Sequence, residues 1–294
     1  MKPSNELSIR SRHVKSRRTA SNLIFGLGFL ALALIIAPSI WIVTQIAIKA
    51  LPHFSLSVLT TPGVGLGGGL ENEIVGTLLI SLGVGLLAGT VGVLSGIYLS
   101  QFAQGPSAGV LRGASEVLAG IPSIVIGYVG YVSLVVGFHW GFSLGAGLIT
   151  LSVMVVPYIA KTTEVSLRQV PTGYIEGAEA LGIRPGRILT RISIKSALPG
   201  IATGLIVALA ISIGETAPLL YTAGYSQNLP HLALTHSPVG YLTYAVWTFY
   251  NQPTKSAQQL SFDAALILVV MILGLIGTSR LIVARSQRHA ETAR

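Results

Sequence analysis

Charged residues cut this chain into long apolar runs joined by short polar segments. No charge falls between Arg18 and Lys49. That run predicts a first membrane-crossing helix over 21–48, longer than the ~7–15 apolar residues of a secretory signal and therefore a retained span. A second apolar run predicts a span over 74–100. From Val117 to Ala160 there is again no charge, which is too long for one crossing of ~20 residues. The segment Gly137-Phe138-His139-Trp140-Gly141 divides it, with aromatics suited to a membrane–water interface. This gives spans over 116–136 and 143–161. A fifth span over 197–221 and a sixth over 262–282 complete the series.

The polar segments orient the spans. Six crossings put both termini on one side, and 17 of the 19 Lys and Arg residues then share that side, with Lys49 and Lys255 on the other. By the positive-inside rule both termini are expected in the cytoplasm. The expected organisation is a basic tail over 1–20, a transmembrane domain over 21–284 and a second tail over 285–294. Composition agrees: 51% of the residues are hydrophobic and 10% charged, against about a quarter charged in soluble domains. The 34 glycines suit close helix approach. A net charge of +9 would suit nucleic acid, but the basic residues cluster beside the spans. No internal repeat is evident.

Several chemistries are excluded or unsupported. There is no cysteine, so thiolate–metal and cysteine-nucleophile chemistry are absent. The cluster Gly63 to Gly69 lacks the Gly-Lys-Ser/Thr of a phosphate-binding loop, so the chain supplies no ATP site and the cluster reads as a flexible external loop. The histidines are scattered without metal-ligand spacing, and no metal site is expected. No nucleophile elbow appears. The loop 222–261, with Tyr225, Tyr241, Tyr244, Trp247, Phe249 and Tyr250, reads as an interfacial cap or as a surface that receives an external protein.

Two places carry candidate chemistry. Glu215 ends the uncharged run Ser196 to Gly214 in Gly214-Glu215-Thr216-Ala217-Pro218. An acid there is costly unless it meets a pathway or a partner charge. It is either a carboxylate acceptor for a protonated oxyanion or half of a salt bridge to another subunit. Thr216 beside it offers a hydroxyl to backbone or ligand. The other place is the charged centre, 161–195. Pro171 and Gly173 break the chain, Glu176 to Leu181 has helix-forming composition, Gly182 ends that helix and Pro185 permits a second start. Ala178, Leu181 and Ile183 form its apolar side. The pattern fits an amphipathic helix on the membrane surface and equally a helix that docks into a partner's groove. Lys161, expected at the inner end of span four, either snorkels to headgroups or meets an anion leaving the pathway. Pro122 and Pro157 lie within spans three and four, where proline accompanies bending around a pathway.

The segment Glu176-Gly177-Ala178-Glu179-Ala180-Leu181-Gly182 resembles the E-A-A-x-x-x-G motif of binding-protein-dependent ABC importer permeases. Ala119-Gly120-Ile121-Pro122-Ser123, Thr162-Thr163-Glu164, Leu167-Arg168-Gln169-Val170-Pro171, Ala197-Leu198-Pro199-Gly200 and Gly214-Glu215-Thr216-Ala217-Pro218-Leu219-Leu220 follow the order of the PstA-type permeases of phosphate importers. The resemblance covers roughly residues 74–284. It implies an all-α membrane protein with six transmembrane helices and a cytoplasmic coupling helix between the fourth and fifth. The 174–189 helix, with Glu176, Ala178, Glu179 and Gly182, would contact a separate ATPase. Glu215, Thr216 and Lys161 would belong to the translocation pathway or its gate.

The implied partners are an ATPase dimer that binds ATP and Mg, a second permease subunit, an extracytoplasmic phosphate-binding protein and phosphate itself. The chain would hold no cofactor and catalyse no covalent reaction. Gly177 stands where the family usually has Ala, Lys195 where it has Pro, and Lys161 where it has Arg. Ile211 replaces the family's usual Arg four residues before Glu215. Competing expectations are a permease for sulfate, molybdate or tungstate, an ion-coupled carrier acting alone, and a phosphate-sensing scaffold.

Overall fold

A computed structural model describes the backbone of residues 4–65 and 67–291, and the side chains of 21–65 and 67–281. The basic side chains of 1–20 and 285–294, on which the expected tails rest, lie outside the described ones. The chain is an all-α membrane protein. Among the described residues five helices are long and apolar enough to cross a membrane, and a bent helix pair raises the number to six. The chain divides into two compact units, Met1–Pro52 and His53–Arg294. The first is built on α1 (Ser4–Ala50), which carries Pro38 internally.

In the second unit α2 (Glu71–Gln101) opens with Glu71 and Glu73 in its first turn, where acids complement the helix dipole. A short antiparallel ribbon, β1 (Gly63–Val64) and β2 (Gly67–Gly68), precedes it. The Gly63–Gly69 cluster is therefore not a slack loop. Gly69 N donates to Pro62 O at 3.2 Å and Gly63 N to Asn72 Oδ1 at 2.8 Å, which hold the ribbon against α2.

The third span departs from a single straight helix. α3 (Gly105–Gly120) and α4 (Ser123–Gly130), the latter continued by a π turn over Tyr131–Gly137, meet at 97°. Pro122 sets the bend. It forces Ile121 into extended backbone (φ −72°, ψ 130°) and ends α3 one residue earlier. The segment 116–120 thus belongs to a separate helix, not to the start of the expected span. α5 (Leu144–Arg168) begins at Ser143, whose Oγ accepts from Ala146 N at 3.4 Å, and runs two turns past Lys161.

α6 (Thr172–Ala180) and α7 (Pro185–Ile188) follow; a π turn over Leu189–Ser193 leads into α8 (Ile194–Gly214). Residues 174–189 are therefore two helices and not one. The expected fifth span breaks at Glu215–Thr216, after which α9 (Ala217–Thr222) restarts. The aromatic loop contains α10 (Leu242–Tyr250), and α11 (Lys255–Glu291) begins earlier than its apolar run indicates.

The core lies where α2, α5, α8 and α9 meet, through Ile80, Val84, Ala88, Leu151, Val155, Ile159, Ala208 and Leu219. Small residues allow the approach. A Cβ on Gly92 would stand 2.6 Å from Ile159 Cβ, and one on Gly96 2.6 Å from Ala160 O, so α2 and α5 touch along backbone. A second cluster joins α10 to α11 through Leu242, Ala245, Phe249, Ala257, Leu260 and Ala264. Leu82, Leu86 and Leu94 of α2 remain exposed, as a lipid-facing or partner-facing surface requires.

Candidate functional site

Glu215 sits at a helix break. It has extended backbone (φ −74°, ψ 133°) and caps α8; Pro218, which has no N–H, falls in the first turn of α9. Its amide donates to Ser212 O at 3.4 Å, and its carbonyl accepts from Thr243 Oγ1 at 2.9 Å. The side chain is half-buried. Among the described residues no basic side chain lies within salt-bridge distance of it. Ile211, one turn earlier on α8, is partly exposed and offers no charge. Thr216 caps α9, and its carbonyl accepts from Leu220 N at 3.0 Å.

Lys161 lies apart from that break. Thr162 packs on Gly204 of α8, eleven residues before Glu215, so the two levels differ by about 16 Å along the helix. Nor does Lys161 end its span, since α5 continues to Arg168. Its Nζ pairs with Glu116 Oε1 of α3 at 3.1 Å, and both side chains are well exposed.

One turn on, Glu164 is almost wholly buried and accepts two guanidinium groups: Arg112 Nε at 2.8 Å and Arg168 Nη2 at 2.9 Å. Arg112 Nη2 also donates to Leu99 O of α2 at 2.9 Å. A single arginine thereby ties α2, α3 and α5. A cavity of about 180 Å³ opens here, lined by Arg112, Glu116, Pro157, Tyr158, Lys161 and Glu164 among others. Two cations and two carboxylates line it, and of these Lys161 and Glu116 are the more exposed.

The α6 segment follows directly. Its end is a Schellman cap: Gly182 has φ +71°, its amide donates to Glu179 O at 2.8 Å, and Ile183 N donates to Ala178 O at 3.1 Å. Ala178 is buried, so it anchors the helix, while Glu176, Glu179 and Gly182 are exposed. Leu181 does not join the expected apolar side, being 81% exposed. The helix offers an outward surface of two acids and a leucine.

At the opposite end of the bundle lies a polar cluster that pattern reading did not single out. Asn72 and Glu73 are fully buried. Asn72 Nδ2 donates to Ser226 O at 3.2 Å, and Tyr225 OH donates to Glu73 Oε1 at 2.9 Å. Burial, and then the Glu73 carboxylate, push the Tyr225 phenol well above its ordinary range, so it remains the donor. Tyr225 stacks on Tyr244 with ring centroids 4.2 Å apart. The aromatic segment is thus pinned onto α2, and Tyr241 is buried within it.

Sequence reasoning also passed over Arg112, Glu164 and Thr243 as site residues. Glu164 had a signal in Thr162-Thr163-Glu164; Arg112 and Thr243 had none, because their partners lie far away in sequence. Among the described residues no group of acids and histidines has the arrangement of a metal site.

Comparison with known proteins places this geometry. Residues 82–288 match the family described as binding-protein-dependent transport system inner membrane component. A phosphate transport system permease protein PstA 2 of Mycobacterium bovis is 60% identical over 258 residues, covering 88% of this chain and 86% of the relative. A PstA of Yersinia pestis is 33% identical over 271 residues, covering 91% and 88%. Among solved structures, an inward-facing MetNI methionine ABC transporter aligns with TM-score 0.59 at 20% identity, covering 74% of this chain and 95% of that one. A bacterial ABC transporter involved in import of the acidic polysaccharide alginate aligns with TM-score 0.63 at 13% identity, covering 93% and 99%. These two likenesses concern the fold.

Proposed function

The chain belongs to the binding-protein-dependent transport system inner membrane component family, and on that premise we propose that it is a permease subunit of an ATP-driven phosphate importer. The observation that carries this is the 60% identity, over nearly the whole of both chains, to a phosphate permease. The relatives do not favour a sulfate, molybdate or tungstate permease, a secondary carrier or a sensing scaffold. The protein is a multi-pass membrane protein.

In the working complex this chain pairs with a second permease subunit, and the two form the pathway between them. A separate ATPase dimer supplies ATP hydrolysis with its own Mg, so this chain carries out no covalent step. An extracytoplasmic binding protein delivers phosphate. Both termini and α6 face the cytoplasm, which the distribution of basic residues supports. The outward surface of Glu176, Glu179 and Gly182 is the ATPase contact, with Ala178 anchoring α6 to the membrane domain. ATPase closure moves α6, and α5 and α8, which flank the α6–α7 segment, follow.

Glu215 and Thr216 form a gate at the helix break, and Lys161 serves the exit. With no basic side chain within salt-bridge distance among the described residues, Glu215 pairs with a basic residue of the second permease, an arrangement supported by Ile211 in place of the family's usual Arg. Lys161 exchanges Glu116 for the departing anion, which the exposure of both partners permits.

The test is uptake of labelled phosphate by proteoliposomes containing the permease pair, ATPase and binding protein. ATP-dependent phosphate uptake that excess sulfate leaves intact is the expected result. Uptake abolished by sulfate, or uptake without the ATPase, would overturn the reading.

A further inference from the structure

We infer that Thr243 is a positioning residue for Glu215 and that it holds the helix break in register with the opposite-end cluster on α2. The inference rests on the reading of Glu215 as a gate residue. In this chain helical threonines commonly return their hydroxyl to their own helix. Thr90, Thr162, Thr190, Thr203 and Thr222 each donate to the carbonyl four residues back. That bond satisfies the hydroxyl locally and couples nothing distant. Thr243 stands in the first turn of α10, ahead of which there is no helical turn to return to, and it donates instead across to the Glu215 carbonyl at 2.9 Å.

The acceptor is a group that needs a donor. Helix ends leave carbonyls without an intrahelical partner, and an unsatisfied carbonyl at membrane depth is costly. Fixing the Glu215 carbonyl fixes the peptide plane between Glu215 and Thr216. That sets the direction in which both side chains leave the backbone.

Thr243 is itself held firmly. The neighbouring Leu242 N donates to Thr77 Oγ1 at 2.9 Å, and Thr77 Oγ1 donates to Glu73 O at 2.7 Å. Thr77, Leu242 and Thr243 are all buried, so water does not substitute for these bonds. Glu73 and its neighbour Asn72 in turn hold Tyr225 and Ser226. A line of hydrogen bonds, linked covalently through Glu73 and through the Leu242–Thr243 peptide, therefore runs from the segment after α9, through the start of α2 and the first turn of α10, to the break at Glu215. A shift of that segment reaches the gate through Thr243.

The experiment uses the complete transporter in proteoliposomes, with phosphate uptake measured per assembled complex alongside ATP hydrolysis and thermal unfolding. Thr243→Val keeps the shape and removes the donor. Uptake per complex is expected to fall about fivefold, the factor that one lost hydrogen bond corresponds to, while stimulated ATP hydrolysis persists. Thr243→Ser restores the donor and should recover uptake. In a Glu215→Gln background Thr243→Val should add no further loss, because it acts through that side chain. If Thr243→Val merely lowers the unfolding temperature and leaves uptake per complex intact while Glu215→Gln is impaired, this inference alone falls. If Glu215→Gln itself transports fully, the gate reading falls first and takes this inference with it.

Discussion

Glu164 is the residue whose removal the structure prices most directly. Its carboxylate is 5% exposed and accepts two guanidinium groups, but these are not equivalent. Arg168 is 55% exposed and one helical turn away, so its pairing is worth ~0–1 kcal/mol after solvent screening. Arg112 is 29% exposed, comes from another helix, and also holds Leu99 O. Glu164→Ala would leave that guanidinium partly buried with its carbonyl partner alone. Breaking a buried pair from one side costs about 3–5 kcal/mol; the residual exposure of Arg112 places the expected loss near the lower bound, about 3 kcal/mol.

The assay is equilibrium unfolding of the detergent-solubilised permease, arranged as a double-mutant cycle with Arg112→Ala. Removing both partners should cost less than the sum of the single losses, since no unpaired charge then remains. Arg168→Ala alone should stay within about 1 kcal/mol. A Glu164→Ala loss below about 0.5 kcal/mol, or strict additivity with Arg112→Ala, would refute the claim that this carboxylate ties α3 and α2 to α5.

A reporter fused after Arg294 should be cytoplasmic and one inserted near Gly67 external; protease protection showing the reverse for Arg294 would overturn the six-span orientation. Gly182→Val puts a β-branched residue at φ +71° with open space around it, so backbone strain of about 1–2 kcal/mol acts without a clash. ATPase-stimulated turnover should fall with membrane insertion unchanged, and Gly182→Asn should be milder; normal transport by the valine variant would remove the coupling assignment. Tyr225→Phe deletes the phenol donor to the fully buried Glu73 carboxylate and should lower stability by about 2 kcal/mol, read as a lowered unfolding temperature. Ile211→Arg places a cation one turn before Glu215 and should raise phosphate uptake; uptake unchanged in this variant and in Glu215→Gln together would remove both positions from the path.

Hydrophobic pattern located the five helices that, among the described residues, are long and apolar enough to cross a membrane, because bilayer thickness imposes a length on apolar runs. It misjudged their ends for identifiable reasons. α5 passes beyond Lys161 because Glu164 is neutralised by arginines from two helices, a pairing invisible in a window of neighbouring residues. α11 starts before its apolar run because Ala257 and Leu260 in its first turns join an apolar cluster with Leu242, Ala245 and Phe249 of α10, which a window of neighbouring residues does not reveal. The third span bends because Pro122 dictates the backbone of Ile121, yet the magnitude of the bend depends on how α3 packs on α5.

Punctuation by glycine was the most legible local feature. Gly182 was readable as a helix stop from composition, and the positive φ with two capping bonds is the physical form of that stop. The site residues were legible only in part. Glu215 stands out because an acid at the edge of an apolar run is rare, whereas Thr243 is one of many hydroxyls and acquires meaning only from the carbonyl it reaches. The same difference explains Ile211. On a chain read in isolation its apolar side chain looks unremarkable in a membrane helix; beside Glu215 it leaves a half-buried carboxylate with no basic side chain within salt-bridge distance among the described residues. The proposed role of Glu215 as a gate acid therefore calls for a charge from the second permease subunit, which Ile211→Arg would supply from this chain instead.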